Sequence, residues 1–254
     1  MPGSNQQTFV SVALRPLSVL LLWLAPLQLF AQITVTDVIY TFRAAEKPVH
    51  NVKVKNTGSD PIYVTVEADE MVRPGFDDEK RVPTKDLIVS PRHFSIPAGA
   101  DRTVRLLLRK AVVDTQSVYR VRFMPRAKPF EDDKGGRPAK RVALQVLTGI
   151  GMLIFVDPKD PRPELAWERQ GGTVRFTNNG NVNVYLADAK ACTGINASSP
   201  EADLSSASCE QIKPPIGRLY PGNKKTVNIP AHKTLVVSRR VGEHQERLVI
   251  PAAG

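Results

Sequence analysis

With 254 residues, 42% of them apolar, the chain is long enough for two cores of ordinary size, so neither half needs a metal, disulfide or cofactor in order to fold. Its formal net charge of +10 raises nucleic acid as a partner, because clustered Lys and Arg release counterions from phosphate. Lys53, Lys55, Arg102, Arg105, Arg120 and Arg122 instead alternate with apolar residues as on a solvated sheet face, with no aromatic stacking platform among them. The surplus points to an acidic protein partner or a carboxylate and away from nucleic acid.

Met1 to about Ala31 holds one cation, Arg15, then an apolar run Val19–Leu24, then Leu29-Phe-Ala31 before Gln32. That is the layout of a secretory signal with a small residue at the cut, and the run is too short to span a bilayer. A buried core helix is the alternative, but Pro16 and Pro26 bracket the run and no polar face accompanies it. Beyond Gln32 no apolar segment is both long enough and free of turn residues to be a membrane helix.

From Gln32 onward apolar and polar residues alternate at Ile33-Thr-Val-Thr36, Val49–Val54, Ile62–Val66, Leu87–Val89, Thr103–Leu108 and Val118–Phe123. Period two with Val, Ile, Tyr and Thr enrichment predicts half-buried strands. Asn56-Thr-Gly58, Asp60-Pro61, Arg73-Pro-Gly75 and Pro97-Ala-Gly99 supply the turns between them. No segment offers a sustained helical period. About seven strands per half is the immunoglobulin-like number, here without that superfamily's inter-sheet cysteine pair.

The chain also repeats itself. Val52-Lys-Val-Lys-Asn56-Thr-Gly58, Ile62–Val66 and Ile96-Pro97-Ala-Gly99 return in the second half as Val174-Arg-Phe-Thr-Asn178-Asn-Gly180, Val182–Leu186 and Leu219-Tyr-Pro221-Gly222. An offset of roughly one domain length predicts two tandem related sandwiches rather than a solenoid. The domains expected are residues 32–157 and 164–254, joined by a Pro-rich linker over 158–163 within Asp157-Pro-Lys-Asp-Pro-Arg-Pro163.

Two segments break the pattern. Arg126 to Lys140 is charged and rich in Gly and Pro, a composition unlikely to order by itself, and is expected to be a mobile loop. Arg141 to Val156 follows directly as the longest apolar stretch after the signal, and is expected to be a strand running straight into the linker. Val142, Leu144, Val146 and Thr148 share one face of that strand. They either fill the core of their own sandwich or are offered to another chain by strand addition, in which main-chain hydrogen bonds pair and alternate side chains fill pockets. Four or five such side chains leaving water give roughly 6 to 15 kcal/mol gross, before ordering and association costs.

Cys192 and Cys209 fall within one Ser/Ala-rich loop. In an exported protein they read as a local disulfide, worth about 3 kcal/mol in the chain-entropy model, since no further metal ligands lie near them. His50, His93, His232 and His244 are scattered, Gly149-Ile-Gly151 precedes strand residues rather than a helix, and no Gly-x-Ser-x-Gly occurs. Neither a metal, a cofactor nor catalysis is indicated. Asp77-Asp-Glu79 and Glu131-Asp-Asp133 read as solvated loop clusters.

Val89-Ser-Pro-Arg92, Ile96-Pro-Ala-Gly-Ala-Asp-Arg-Thr-Val-Arg-Leu106, Val118-Tyr-Arg-Val-Arg-Phe123, Asn178-Asn-Gly-Asn-Val182 and the Cys192/Cys209 pair followed by Tyr220-Pro-Gly222 together resemble the periplasmic pilus-assembly chaperones of the chaperone–usher pathway. The resemblance covers Gln32 to the C-terminus and is nearest to the alternate, or alpha, branch that serves CFA/I-like and cable-like fimbriae. It implies two immunoglobulin-like domains in an L shape and a periplasmic location. It also implies donor-strand complementation: the chaperone inserts an edge strand into a pilin that lacks its final strand, keeps it folded, and delivers it to an outer-membrane usher. The inserted face is then Val142, Leu144, Val146 and Thr148. Some members cap this edge by forming homodimers.

In the better-known branch two cations in the cleft hold the pilin's terminal carboxylate. Here the Arg position aligns with Tyr40 and the Lys position near Leu153, so neither carries over. Arg43, Arg120 and Arg122 are the substitutes to consider, because a half-buried carboxylate needs a charged, bidentate partner. The alternative for each is a solvated strand-face charge. A structural two-domain pilin or adhesin protein is the competing reading for the whole chain; it would carry an incomplete C-terminal domain and a free N-terminal extension.

Overall fold

The computed structural model describes residues 32–109, 113–126, 147–195 and 207–253. The signal segment, nearly all of the charged loop, and Val142, Leu144 and Val146 lie outside the described residues. Among the described residues every regular element is a strand.

The first half contributes β1 (Ile33–Val35), β2 (Ile39–Phe42), β3 (Val49–Asn56), β4 (Ile62–Val72), β5 (Lys80–Pro83), β6 (Leu87–Ser90), β7 (His93–Ile96), β8 (Asp101–Leu108), β9 (Ser117–Arg126) and β10 (Ile150–Val156). One sheet runs β1-β3-β8-β6; the other runs β2-β10-β9-β4-β5, with β7 also on β4. Alternation sends Val52 and Val54, Val64 and Val66, Val104 and Leu106, Val121 and Phe123, and Met152 and Ile154 into one core. Each such side chain contributes about 1.5–3 kcal/mol by leaving water.

The second half contributes β11 (Leu165–Gln170), β12 (Thr173–Asn178), β13 (Val184–Thr193), β14 (Ser208–Gln211), β15 (Gly217–Leu219), β16 (Lys224–Asn228), β17 (Thr234–Val241) and β18 (His244–Ile250). Its sheets are β11-β12-β16 and β14-β13-β17-β18, with β15 also on β13. Val174, Phe176, Leu186, Leu219, Leu235 and Ile250 fill its core. Cys192 and Cys209 are joined as a disulfide between directly opposed positions of β13 and β14.

Ten and eight strands exceed the expected seven per half for local reasons. The opening strand breaks at Asp37-Val38, so that Ile33–Val35 joins one sheet and Ile39–Phe42 the other. β5 is exposed along its whole length and carries no apolar alternation to announce it. The apolar stretch after the charged loop enters the ladder only at Ile150; Thr148 and Gly149 precede it, exposed and outside any strand.

The repeated Asn-x-Gly phrases have one physical meaning in both halves. Asn56 is fully buried; its amide donates to the carbonyls of Asp60, Ile96 and Pro97 at 2.7, 3.1 and 3.2 Å, and its side-chain oxygen accepts from the Gly58 N–H at 2.9 Å. Asn178 does the same with the Val182 and Leu219 carbonyls at 2.8 and 3.0 Å and the Gly180 N–H at 3.0 Å. Each asparagine thus ties the end of one strand to the turn-bearing phrase some 40 residues later.

The two halves meet through a polar chain and an apolar plug. Gln116 donates to the Asp157 carboxylate at 2.6 Å and accepts from the Asn183 backbone and side chain at 3.0 and 2.7 Å. Asn183 in turn accepts from Arg218, whose guanidinium lies 4.8 Å from the Phe155 ring and 5.3 Å from that of Tyr185. Beside it Met71, Val118, Phe155 and Tyr220 form a cluster of their own. The β4–β5 hairpin tip leans on this plug: Gly75 has φ +75°, and a Cβ there would collide with the Asn223 side chain. Asp78 and Glu79, expected to be merely solvated, fold that tip by bonding Arg73 and the Gly75 N–H, both at 2.8 Å.

These contacts set two expectations. Replacing Asn56 or Asn178 by Ala strands several buried backbone groups and should cost roughly 2–4 kcal/mol each, since an unsatisfied buried group costs about 1–3 kcal/mol; urea denaturation of the single variants measures it, and a loss below about 1 kcal/mol contradicts it. The second concerns Asp157, whose carboxyl is pushed above the usual carboxylate range by burial, with the Gln116 hydrogen bond and Arg43 pulling the other way. The folded state then holds this proton more tightly than the unfolded chain, so this group's contribution falls as pH rises from the ordinary carboxylate pKa through the raised one. Asp157→Asn should remove that decline; urea midpoints that fall in parallel for both proteins across about pH 4 to 6 would show that burial of Asp157 is not its source.

Candidate functional site

β10 is flanked unequally. It pairs antiparallel with β9 along its whole length, from Ile150 opposite Phe123 to Val156 opposite Ser117. On its other side β2 pairs with it in parallel only from Leu153 to Val156, and the Leu153 N–H reaches the Val38 carbonyl at 2.8 Å. From Ile150 to Met152 that second edge meets no strand among the described residues.

Period two divides β10 into two rows. Met152, Ile154 and Val156 face the core, whereas Gly151, Leu153 and Phe155 face outward. Across the sheet Leu153 lies between Ile39 of β2 and Arg120 of β9, and Arg120 lies opposite Asp69 of β4. The next outward positions toward the strand's start are Gly151, Arg122 and Glu67. At the open edge Val38 and Ile39 are 57% and 51% exposed, an apolar step continuous with Leu153.

The three candidate arginines differ in what they touch. Arg122 is committed: it pairs with Glu67 at 2.9 Å and with Asp69 at 2.7 Å, and Asp69 is itself 7% exposed. Arg43 stands apart from the other two, directly after β2, where it is exposed and pairs with Glu46 at 3.1 Å and Glu243 at 3.5 Å. The hydrogen bond to Glu46 holds its pKa above the ordinary Arg value. It lines a cavity of about 650 Å³ with Asp157, Pro158 and Lys159 at the start of the linker.

Arg120 makes no ion pair among the described residues. Its guanidinium lies over Gly151, with Nε and Nη2 both 3.0 Å from where a Cβ would be, so the absent side chain makes room for it. The structure therefore places Arg120 and Arg122 on one outer face and Arg43 elsewhere. Thr148 is exposed just ahead of the open edge.

Tyr40, at the position aligned with the missing arginine, packs against the core and stacks on His50 with ring centroids 3.6 Å apart; burial raises its pKa. Leu153, near the missing lysine, is half-buried against the Phe155 cluster. Burial also raises the pKa of Tyr220, whereas Arg120 works to lower it. Gln116, Asn183 and Arg218, which fix the junction beside this face, carry no motif. Of the junction residues only Tyr220-Pro-Gly222 stood out in the sequence. No group of three or more His, Cys, Asp or Glu suited to a metal occurs among the described residues.

Comparison with known proteins follows the same outline. The family described as pili and flagellar-assembly chaperone, PapD N-terminal domain, matches residues 31–162, just over half of the chain. A CFA/I fimbrial protein of Escherichia coli is 26% identical over 150 residues, a match spanning 57% of this chain and 63% of that relative. Among solved structures, the class 5 fimbriae chaperone CfaA superposes with a TM-score of 0.58 at 20% identity, over 85% of this chain and 97% of that one. A chain from the complex of the Salmonella enterica SafA pilin with the SafB chaperone gives a TM-score of 0.57 at 15% identity, over 87% and 97% respectively. These structural likenesses carry the fold, and the family match carries the lineage: the chain belongs to the pili and flagellar-assembly chaperones.

Proposed function

We propose that this chain is a periplasmic chaperone, exported by its first 31 residues, that binds pilin subunits by donor-strand complementation and hands them to an outer-membrane usher. The observation that carries the reading is the open half-edge of β10. Positions 142, 144, 146 and 148 have the same parity as Met152 and Ile154, which face the core of the first sandwich. A strand continued backward from Ile150 would extend that row past the end of its own core, where a client's unfinished core would receive Val142, Leu144, Val146 and Thr148.

Arg120 is the anchor this reading favours for a client's terminal carboxylate. It sits one strand in from the open edge, beside Leu153, without a counter-charge. Arg122 already serves two carboxylates, so a third would add like-charge repulsion. A structural-component reading calls for a sandwich lacking its last strand, whereas β10 closes the first core through Met152, Ile154 and Val156 and β18 contributes Ile250 to the second. The relatives solved with a client, among them the SafB chaperone with its pilin, support the interaction role.

Two tests address the reading. Leu144→Glu with Val146→Glu should abolish co-purification of a co-expressed exported pilin while leaving the chaperone soluble and folded; unchanged recovery removes strand donation. Arg120→Ala should weaken pilin binding about tenfold or more, the scale of one charge-assisted hydrogen bond of about 1.5–3 kcal/mol, without lowering chaperone stability. Arg122→Ala should lower stability instead, because nearly buried Asp69 loses its partner. Affinity titration and urea denaturation on the same variants separate the two, and wild-type affinity for Arg120→Ala places the anchor elsewhere.

A further inference from the structure

The second sandwich has an open flank of different chemistry. β16 pairs with β12 along one edge only. A groove of about 540 Å³ lies between β16 and the segment 212–216, within the roughly 300–1,000 Å³ typical of ligand pockets. Pro214 and Pro215 in that segment have no N–H, so the segment cannot continue the ladder beyond β16. Lys213, Lys224 and Lys225 line the groove, and no acidic side chain does.

Lysines on an edge strand commonly blunt it against association, with their ammonium groups in water. Exposed Lys224 fits that role. Lys225 does not. It shares a face of β16 with buried Val227, is half-buried itself, and its ammonium donates to the Ile216 carbonyl at 2.5 Å. It makes no ion pair among the described residues, so one of three donors is engaged and the charge is uncompensated. Burial holds its pKa below the ordinary Lys value, the direction expected of a cation short of an anion.

We propose that this groove binds an extended acidic segment of a protein partner, one carboxylate meeting the Lys225 ammonium while the segment's main chain pairs with the open edge of β16. Lys213 and Lys224 at the rim then select for further acidic residues, and the apolar floor at Ile216 and Val227 takes a small apolar side chain between them. This site lies on the second sandwich and is independent of the donor edge, so it is tested with no pilin present.

The probe is the peptide acetyl-Glu-Thr-Glu-Val-Glu-Thr-amide, added to the exported full chain and followed by hydrogen exchange and by affinity titration. The peptide should protect the amides of residues 224–228, the version with Gln in place of every Glu should not, and Lys225→Met should weaken binding at least tenfold. The proposal is overturned if residues 224–228 gain no protection, if the Gln peptide binds equally, or if Lys225→Met binds like the wild type. Should Lys225→Met fail to fold, the double variant Lys213→Ala/Lys224→Ala takes its place: a several-fold loss of affinity supports the site, and unchanged affinity overturns it.

Discussion

The architecture turns on β10 having to satisfy two edges with partners of different length. β9 accompanies it for seven residues and β2 for four, so the start of its pairing is one-sided while its end continues into Asp157 and the linker. The register is not free to slip: a shift of one residue would turn Met152, Ile154 and Val156 out of the core and bring Gly151, Leu153 and Phe155 in. The open edge is therefore held in a fixed phase by the core behind it. A strand presented in a fixed phase loses less conformational freedom on pairing, which strengthens association without any added contact.

The same rigidity decides the electrostatics of the outer face. Arg120 and Arg122 are two residues apart on one strand, point the same way, and have opposite surroundings because β4 supplies Glu67 and Asp69 as a pair. Arg122 draws both carboxylates to itself, although Arg120 is the residue in register with Asp69. The consequence is one neutralised cation and one uncompensated cation on a single apolar-rimmed surface. An uncompensated guanidinium beside Leu153 and over Gly151 is tolerable while water reaches it, and becomes a strong site for a carboxylate once a partner's apolar surface excludes that water.

Much of the fold was legible because burial imposes a period. Val52 and Val54 on β3, and Val104 and Leu106 on β8, announce their strands by alternation, and the Asn-x-Gly phrases announce the duplication. What the phrases do was not legible: that Asn56 and Asn178 bind carbonyls some 40 residues away follows from topology, which no local pattern records. β5 escaped because an exposed edge strand has no buried row to write into the sequence. The site was half legible. The apolar stretch ending in β10 was visible, but the ranking of the arginines rests on Arg122 meeting Glu67 across 55 residues of chain, and Gln116, Asn183 and Arg218 are single polar residues whose importance comes only from being brought together at the junction.

The two sandwiches show which features duplication preserves. Both keep the buried asparagine, the glycine two residues later and the turn it pins, because each of those groups is surrounded on all sides and any change leaves a polar atom unsatisfied. Their flanks have no such constraint and have diverged: the first presents Val38, Ile39 and a cation set back on the sheet face, the second an inward lysine between a strand edge and a pair of prolines. An edge strand must be covered, blunted or used. The first flank is too apolar to be blunted and the second holds its central lysine too deep for blunting, so on physical grounds both belong to the third class. Because Gln116, Arg218 and the Tyr220 cluster tie the halves together, a partner engaging either flank meets a surface whose neighbours are already fixed in place.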